Sequence, residues 1–141
     1  MGNDQLKFTR DTLFNTVSKI IHQHILEAQR LIPKPTEAAL LFHEHNFVAH
    51  EWHIYSAAGY SSTMPLFYFH FEEVPYQEVP CERQDITKFL IQIINKMQLA
   101  TECIVISLIY IEKLMLTSKI EIRYVNWRPL VFTAILLASK L

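Results

Sequence analysis

Glycine and cysteine are scarce in this chain of 141 residues. Its 2 glycines cannot supply the flexible backbone that phosphate-binding loops and dinucleotide-binding turns need, which excludes the usual nucleotide-binding motifs. Its two cysteines, Cys81 and Cys103, are too few for a disulfide framework. Neither cysteine belongs to a recognisable Cys-His arrangement, so the sequence gives no support to nucleophilic catalysis and we expect no enzymatic activity.

The chain also lacks an excess of basic charge and a long apolar run. Its 13 Lys and Arg residues are balanced by 14 acids, so we predict no nucleic-acid partner. No segment reaches the roughly 20 apolar residues that span a bilayer, and no signal peptide opens the chain. Since half of the residues are hydrophobic, a disordered chain is excluded. We expect a folded cytoplasmic or nuclear protein without stable membrane insertion.

Apolar residues recur at helical spacing in four places. The pattern predicts a helix from Asp11 to about Leu31, with Asp11 as its N-cap, and an amphipathic helix whose stripe runs from Ile86 to Met97. Two further helices begin after Thr101 and Asn126, which are the predicted caps, and both are apolar on almost every side. We therefore expect residues such as Ile93 and Ile109 to be buried, and the last two helices to need extensive cover.

Three segments differ in composition. Residues 1–32 form the N-terminal helical segment, and residues 81–141 contain the three C-terminal helices. Between them, residues 33–80 are interrupted by proline and glycine and are rich in aromatic residues and histidine. We predict a long irregular insertion for this middle segment, apart from a short helix near residues 37–42, and expect its aromatic side chains to be packed.

Two motifs in the third segment resemble the cyclin box. They are Tyr110-Ile111-Glu112-Lys113-Leu114 and Leu136-Leu137-Ala138-Ser139-Lys140, about 30 residues apart. Together with Asn126-Trp127 at the start of the last helix, they are most similar to the cyclin Y and Pho80-like branch. The resemblance implies an all-α fold, namely an N-terminal helix plus the first three helices of a cyclin-box bundle, and hence a truncated box.

The resemblance also implies a function and its residues. Cyclins bind a cyclin-dependent protein kinase and hold its αC helix in the active position, without a cofactor. Lys140 matches the lysine that contacts the kinase backbone. Ile86 and Phe89 match two positions of the substrate-docking groove, whose methionine position is occupied here by Glu82.

Other interpretations remain open at the level of sequence. One alternative is a truncated, non-functional cyclin fragment. Self-association through exposed box helices is a further expected interaction of the chain. A second alternative is a metal-binding module built on His43, His45, His50 and His53 with their neighbouring glutamates, although His50 and His53 are one residue too close for the zinc-protease motif.

Two terminal motifs suggest other locations. Met1-Gly2-Asn3 partly matches a myristoylation signal, but position 6 is leucine, where the signal has serine or threonine. Ser139-Lys140-Leu141 matches the peroxisomal targeting tripeptide. Membrane association by one acyl chain and peroxisomal import are therefore alternatives to the cytoplasm or nucleus.

Overall fold

The structure is a computed structural model that describes residues 2–46, 52–56, 67–71 and 79–141. The elements in these ranges are α1 (Gly2–Leu31), α2 (Glu37–Leu41), a 3-10 turn (Glu44–Asn46), β1 (Trp52–Ser56), β2 (Phe67–Phe71), α3 (Arg83–Met97), α4 (Glu102–Thr117) and α5 (Trp127–Ala138).

The helices form one bundle, which confirms the predicted helical-bundle fold, and the strands β1 and β2 are the exception to an all-α chain. Helix α1 packs against α3 and α4, and α4 packs along α5. All four helices contribute to a single apolar core, because each turns one row of branched or aromatic residues inward. Fully or almost fully buried members of this core are Phe14, Val17, Ile21, Ile25, Ile86, Leu90, Ile104, Ile111, Ile122, Trp127, Val131 and Ile135.

Helix α1 is longer than the sequence predicts. It begins at Gly2, so Asp11 lies inside the helix and is not its N-cap. Arg10 stabilises this extension, since its guanidinium donates to the side-chain oxygen of Asn95 at 2.6 Å and lies 5.3 Å from the centre of the Phe14 ring. Such a contact between α1 and α3 leaves no signal in the local sequence.

The middle segment contains a two-stranded sheet, where we predicted an irregular insertion. Strands β1 and β2 pair antiparallel, with Trp52 opposite Phe71 and Ser56 opposite Phe67. Aromatic and β-branched residues favour strands, but the proline and glycine around them dominated the sequence pattern. The short helix predicted near residues 37–42 is confirmed as α2.

The amphipathic helix α3 agrees with its predicted stripe, because Ile86, Leu90, Ile93 and Ile94 are all buried. On α4 the predicted burial of Ile109 was wrong, whereas exposed apolar side chains on α4 and α5 agree with the expectation that these helices lack cover. Ile109 on α4 is 51% exposed, and Val105, Leu116, Phe132 and Leu137 are exposed as well. In the described part of the chain nothing covers these side chains, so the high apolar content of the two helices does not translate into full burial.

Candidate functional site

Lys140 lies on an ordered turn just after α5. The Ser139 hydroxyl donates to the carbonyl of Leu136 at 2.6 Å, and the backbone N–H of Lys140 donates to the carbonyl of Leu137 at 3.2 Å. The N–H of Leu141 closes the turn on Ala138. The backbone under Lys140 is therefore fixed by hydrogen bonds, while the residue itself is exposed.

An apolar groove runs between α4 and α5 and ends three residues before Lys140. Its volume is about 300 Å³. Phe42, which follows α2, contributes to one wall, so the segment before the sheet also shapes the groove. The residues that line it are Phe42, Tyr110, Ile111, Leu114, Thr117, Leu130, Thr133, Ala134 and Leu137. A groove of this composition suits an apolar side chain or helix of a partner.

The two residues predicted for substrate docking occupy different environments. Ile86 is fully buried in the core, whereas Phe89 is only half-buried and meets the Trp127 ring edge-on, with centroids 5.2 Å apart. The Arg128 guanidinium lies over the Trp127 ring, 4.5 Å from its centroid, and donates to both carboxylate oxygens of Glu44 at 3.2 Å. Phe89 therefore has the exposure that docking needs, and Ile86 serves as a core residue.

A buried polar network joins the connection between α4 and α5 to residues 32–39. The Glu121 carboxylate accepts from the N–H of Thr36 at 2.9 Å and from its hydroxyl at 2.8 Å. The Arg123 guanidinium donates to the carbonyl of Ile32 at 2.6 Å and lies 3.8 Å from Glu121. Both charged side chains are at most 5% exposed, and these partners compensate for part of their lost hydration, since the buried Nε of Arg123 has no hydrogen-bond partner among the described residues.

Asn126 completes the network instead of capping α5 as predicted. Its side-chain oxygen accepts from the N–H of Arg123 at 2.6 Å, and its amide donates to the carbonyls of Ala39 and Glu121 at 3.3 and 3.0 Å. Thr101 likewise precedes α4 without making a side-chain cap. Asn126 is fully buried, which explains why its polar groups bond to the protein interior.

The network gives a prediction for stability at low pH. Burial raises the pKa of the Glu121 carboxyl, but the two donors of Thr36 and the charge of Arg123 outweigh it and hold the pKa below its ordinary value. The pKa of Glu121 is therefore lower in the folded state than in the unfolded state. Its ionised carboxylate stabilises the fold above the unfolded pKa of about 4.3, and this stabilisation is lost as the pH falls through the folded pKa.

We therefore expect Glu121→Gln to lower the free energy of unfolding by about 1 to 3 kcal/mol at pH 7. Its curve of stability against pH should approach that of the wild type as the pH drops below about 4. Urea titrations at several pH values measure both curves. A constant difference from pH 7 down to the acid limit of folding would contradict the assignment.

The cysteines and histidines provide no chemical centre in the described part of the chain. Burial raises the pKa of the Cys81 thiol to about 11, which keeps it protonated, and Cys103 is a buried core residue as predicted. Across residues 2–46, 52–56, 67–71 and 79–141, no three His, Cys, Asp or Glu side chains lie close enough to hold a metal ion. His50 of the predicted cluster lies outside these residues.

Sequence reasoning missed Thr36, Glu121 and Arg123, and it assigned Asn126 to a helix cap and not to the buried network. The available signal was the alternation Ile120-Glu121-Ile122-Arg123 in a short connection between two apolar helices. These four residues are all buried, so this part of the connection belongs to the interior.

The described residues thus form a helical bundle with an exposed lysine on a turn that follows an apolar groove. A family profile described as "Cyclin, N-terminal domain" matches residues 65–141, more than half of the chain and all of α3, α4 and α5. The chain therefore belongs to the cyclin family, whose members are regulatory proteins. No solved structure matches it. None of the helices in its described ranges combines the length and hydropathy needed to cross a bilayer.

Proposed function

We propose that this protein binds a cyclin-dependent protein kinase and helps to hold the kinase αC helix in its active position. The single observation that carries the proposal is the cyclin match over residues 65–141. The placement of Lys140 supports it, because an exposed ammonium on a hydrogen-bonded turn is able to donate to backbone carbonyls of a partner. Self-association through the exposed side chains of α4 and α5 is a secondary proposal.

The proposed mechanism is a shift between two states of the kinase. Catalysis by a protein kinase requires an ion pair between a lysine and the glutamate of its αC helix. A partner that contacts only the inward position of αC favours that position by its differential binding energy. In this proposal Lys140 makes polar contacts near αC, and Phe89 provides the exposed part of a substrate-docking surface. The kinase is of the PFTAIRE, PCTAIRE or Pho80-partner kind.

We expect Lys140→Ala to weaken kinase binding at least tenfold, since a charge-assisted hydrogen bond contributes about 1.5 to 3 kcal/mol. Titration of the immobilised kinase with the full chain measures this affinity. Lys19→Ala, which removes an exposed lysine on α1, is the matched control and should leave binding unchanged. Equal affinity of the wild type and both variants would refute the role of Lys140, and no binding by any of them would refute the kinase proposal itself.

A further inference from the structure

Residues 32–46 form a strap across the connection between α4 and α5. The strap adds few apolar side chains to the interior, chiefly Ala39, which is buried, and Phe42, which is half-buried. Leu40 and Leu41 of α2 are exposed. Segments with few buried apolar contacts open at low energetic cost, so this strap depends on its polar contacts.

Several of those polar contacts reach residues 121–128, and within the strap the Thr36 hydroxyl also accepts from the N–H of Ala39 at 3.2 Å. Thr36 donates to the Glu121 carboxylate, and the carbonyl of Ile32 accepts from the Arg123 guanidinium. The N–H of Glu44 also donates to the carbonyl of Val125, at 2.6 Å. Thr36 satisfies both oxygens of the buried Glu121 carboxylate, one with its N–H and the other with its hydroxyl. Its hydroxyl is therefore the most sensitive point of the strap in the described ranges.

Thr36 also has the geometry of an accessible acceptor. It is exposed, its backbone is extended (φ −71°, ψ 160°), and it lies in an irregular stretch between Lys34 and Glu37. An extended, exposed segment needs only local opening to enter the cleft of a modifying enzyme. Thr117 is the useful contrast, because it is an exposed threonine within the last turn of α4.

We propose that Thr36 is a phosphorylation site and that its phosphorylation releases the strap. The Thr36 oxygen attacks the γ-phosphorus of ATP bound to a serine/threonine protein kinase. An O–P bond forms, the bond between the β- and γ-phosphates breaks, ADP leaves, and the hydroxyl proton passes to the base of the kinase. The product has lost the donor to Glu121 and places a charge of about −2 against that buried carboxylate.

The released strap uncovers the α4–α5 groove. Phe42 lines that groove and moves with the strap, so phosphorylation enlarges the apolar surface next to Lys140. The N-terminal N–H groups of α2 are a possible set of donors to the phosphate. Release is nevertheless favoured, because the hydroxyl donor to Glu121 has been lost and the charge of Glu121 repels the phosphate. This inference does not depend on the identity of the proposed kinase partner.

Amide hydrogen exchange of the full chain tests the release. Thr36→Glu should speed exchange in residues 32–46 at least tenfold over Thr36→Gln, which removes the hydroxyl without adding charge, and Thr36→Ser should match the wild type. Exchange at Leu90 and Ile94 of α3 reports whether each variant is folded. Exchange in residues 32–46 that is no faster in Thr36→Glu than in Thr36→Gln would overturn the electrostatic release.

Mass spectrometry tests the modification itself. With Mg-ATP and a basophilic serine/threonine kinase, chosen because Lys34 lies two residues before the acceptor, Thr36 should gain phosphate several-fold faster than Thr117. The Glu121→Gln variant, whose contact to Thr36 is weaker, should be phosphorylated faster than the wild type at Thr36 only. Modification of Thr117 while Thr36 stays unmodified, or phosphate on Thr36 without faster exchange of the strap, would refute the proposal.

Discussion

Replacing Arg123 by alanine is expected to lower the free energy of unfolding by about 3 to 5 kcal/mol, the cost of breaking a buried charged network. Its guanidinium is 3% exposed and donates to the carbonyl of Ile32 at 2.6 Å and toward that of Ala28 at 3.5 Å. Both acceptors and the Glu121 carboxylate would lose a partner in a region that water does not reach, and a cavity would remain.

Urea denaturation of the wild type and the variant measures this loss. Arg30→Ala is the matched control, because Arg30 is exposed in the last turn of α1 and its removal should change stability by about 0.5 kcal/mol or less. The loss of stability in Arg123→Lys should lie between the losses in Arg123→Ala and Arg30→Ala, since lysine keeps the charge without the planar set of donors. A loss below about 1 kcal/mol for Arg123→Ala would show that the network is not closed in solution.

The contrast between α3 and this network shows what the sequence determines locally. The stripe of α3 was predictable because its period of 3.6 residues places Ile86, Leu90 and Ile93 on one face, and one face is what the bundle buries. The burial of Glu121 and Arg123 was not predictable in this way, because charged residues are buried only when partners satisfy their hydrogen bonds and charge. Their partner residues, Thr36 and Ile32, lie 85 and 91 positions earlier in the chain.

The helix ends and the candidate site illustrate the same limit. Asn126 was correctly predicted to precede α5. Its side-chain amide, however, does not cap the helix but donates to the carbonyls of Glu121 and of Ala39, which lies 87 residues earlier in the chain. Lys140 was identified through a family motif, and only the structure shows that its turn is held by Ser139. Local patterns thus locate the elements, whereas the polar contacts depend on the tertiary arrangement.

The substitution of isoleucine by alanine at two positions compares the buried stripe of α3 with the exposed face of α4. Ile86→Ala should lower the free energy of unfolding by about 2 to 5 kcal/mol, since Ile86 is fully buried and its removal leaves a cavity between α3 and its neighbours. Ile109→Ala should change it by about 0.5 kcal/mol or less, because that side chain is 51% exposed. Thermal or urea unfolding at low protein concentration measures both.

The outcome of this pair depends on whether α4 is exposed in solution. If two copies of the chain associate through the exposed face of α4, Ile109→Ala becomes costly only as the protein concentration rises, because association stabilises by mass action. Unfolding at two concentrations a hundredfold apart separates this case from burial within one chain, in which the cost of Ile109→Ala is the same at both. A concentration-independent loss at Ile109 as large as the loss at Ile86 would contradict the exposed face of α4.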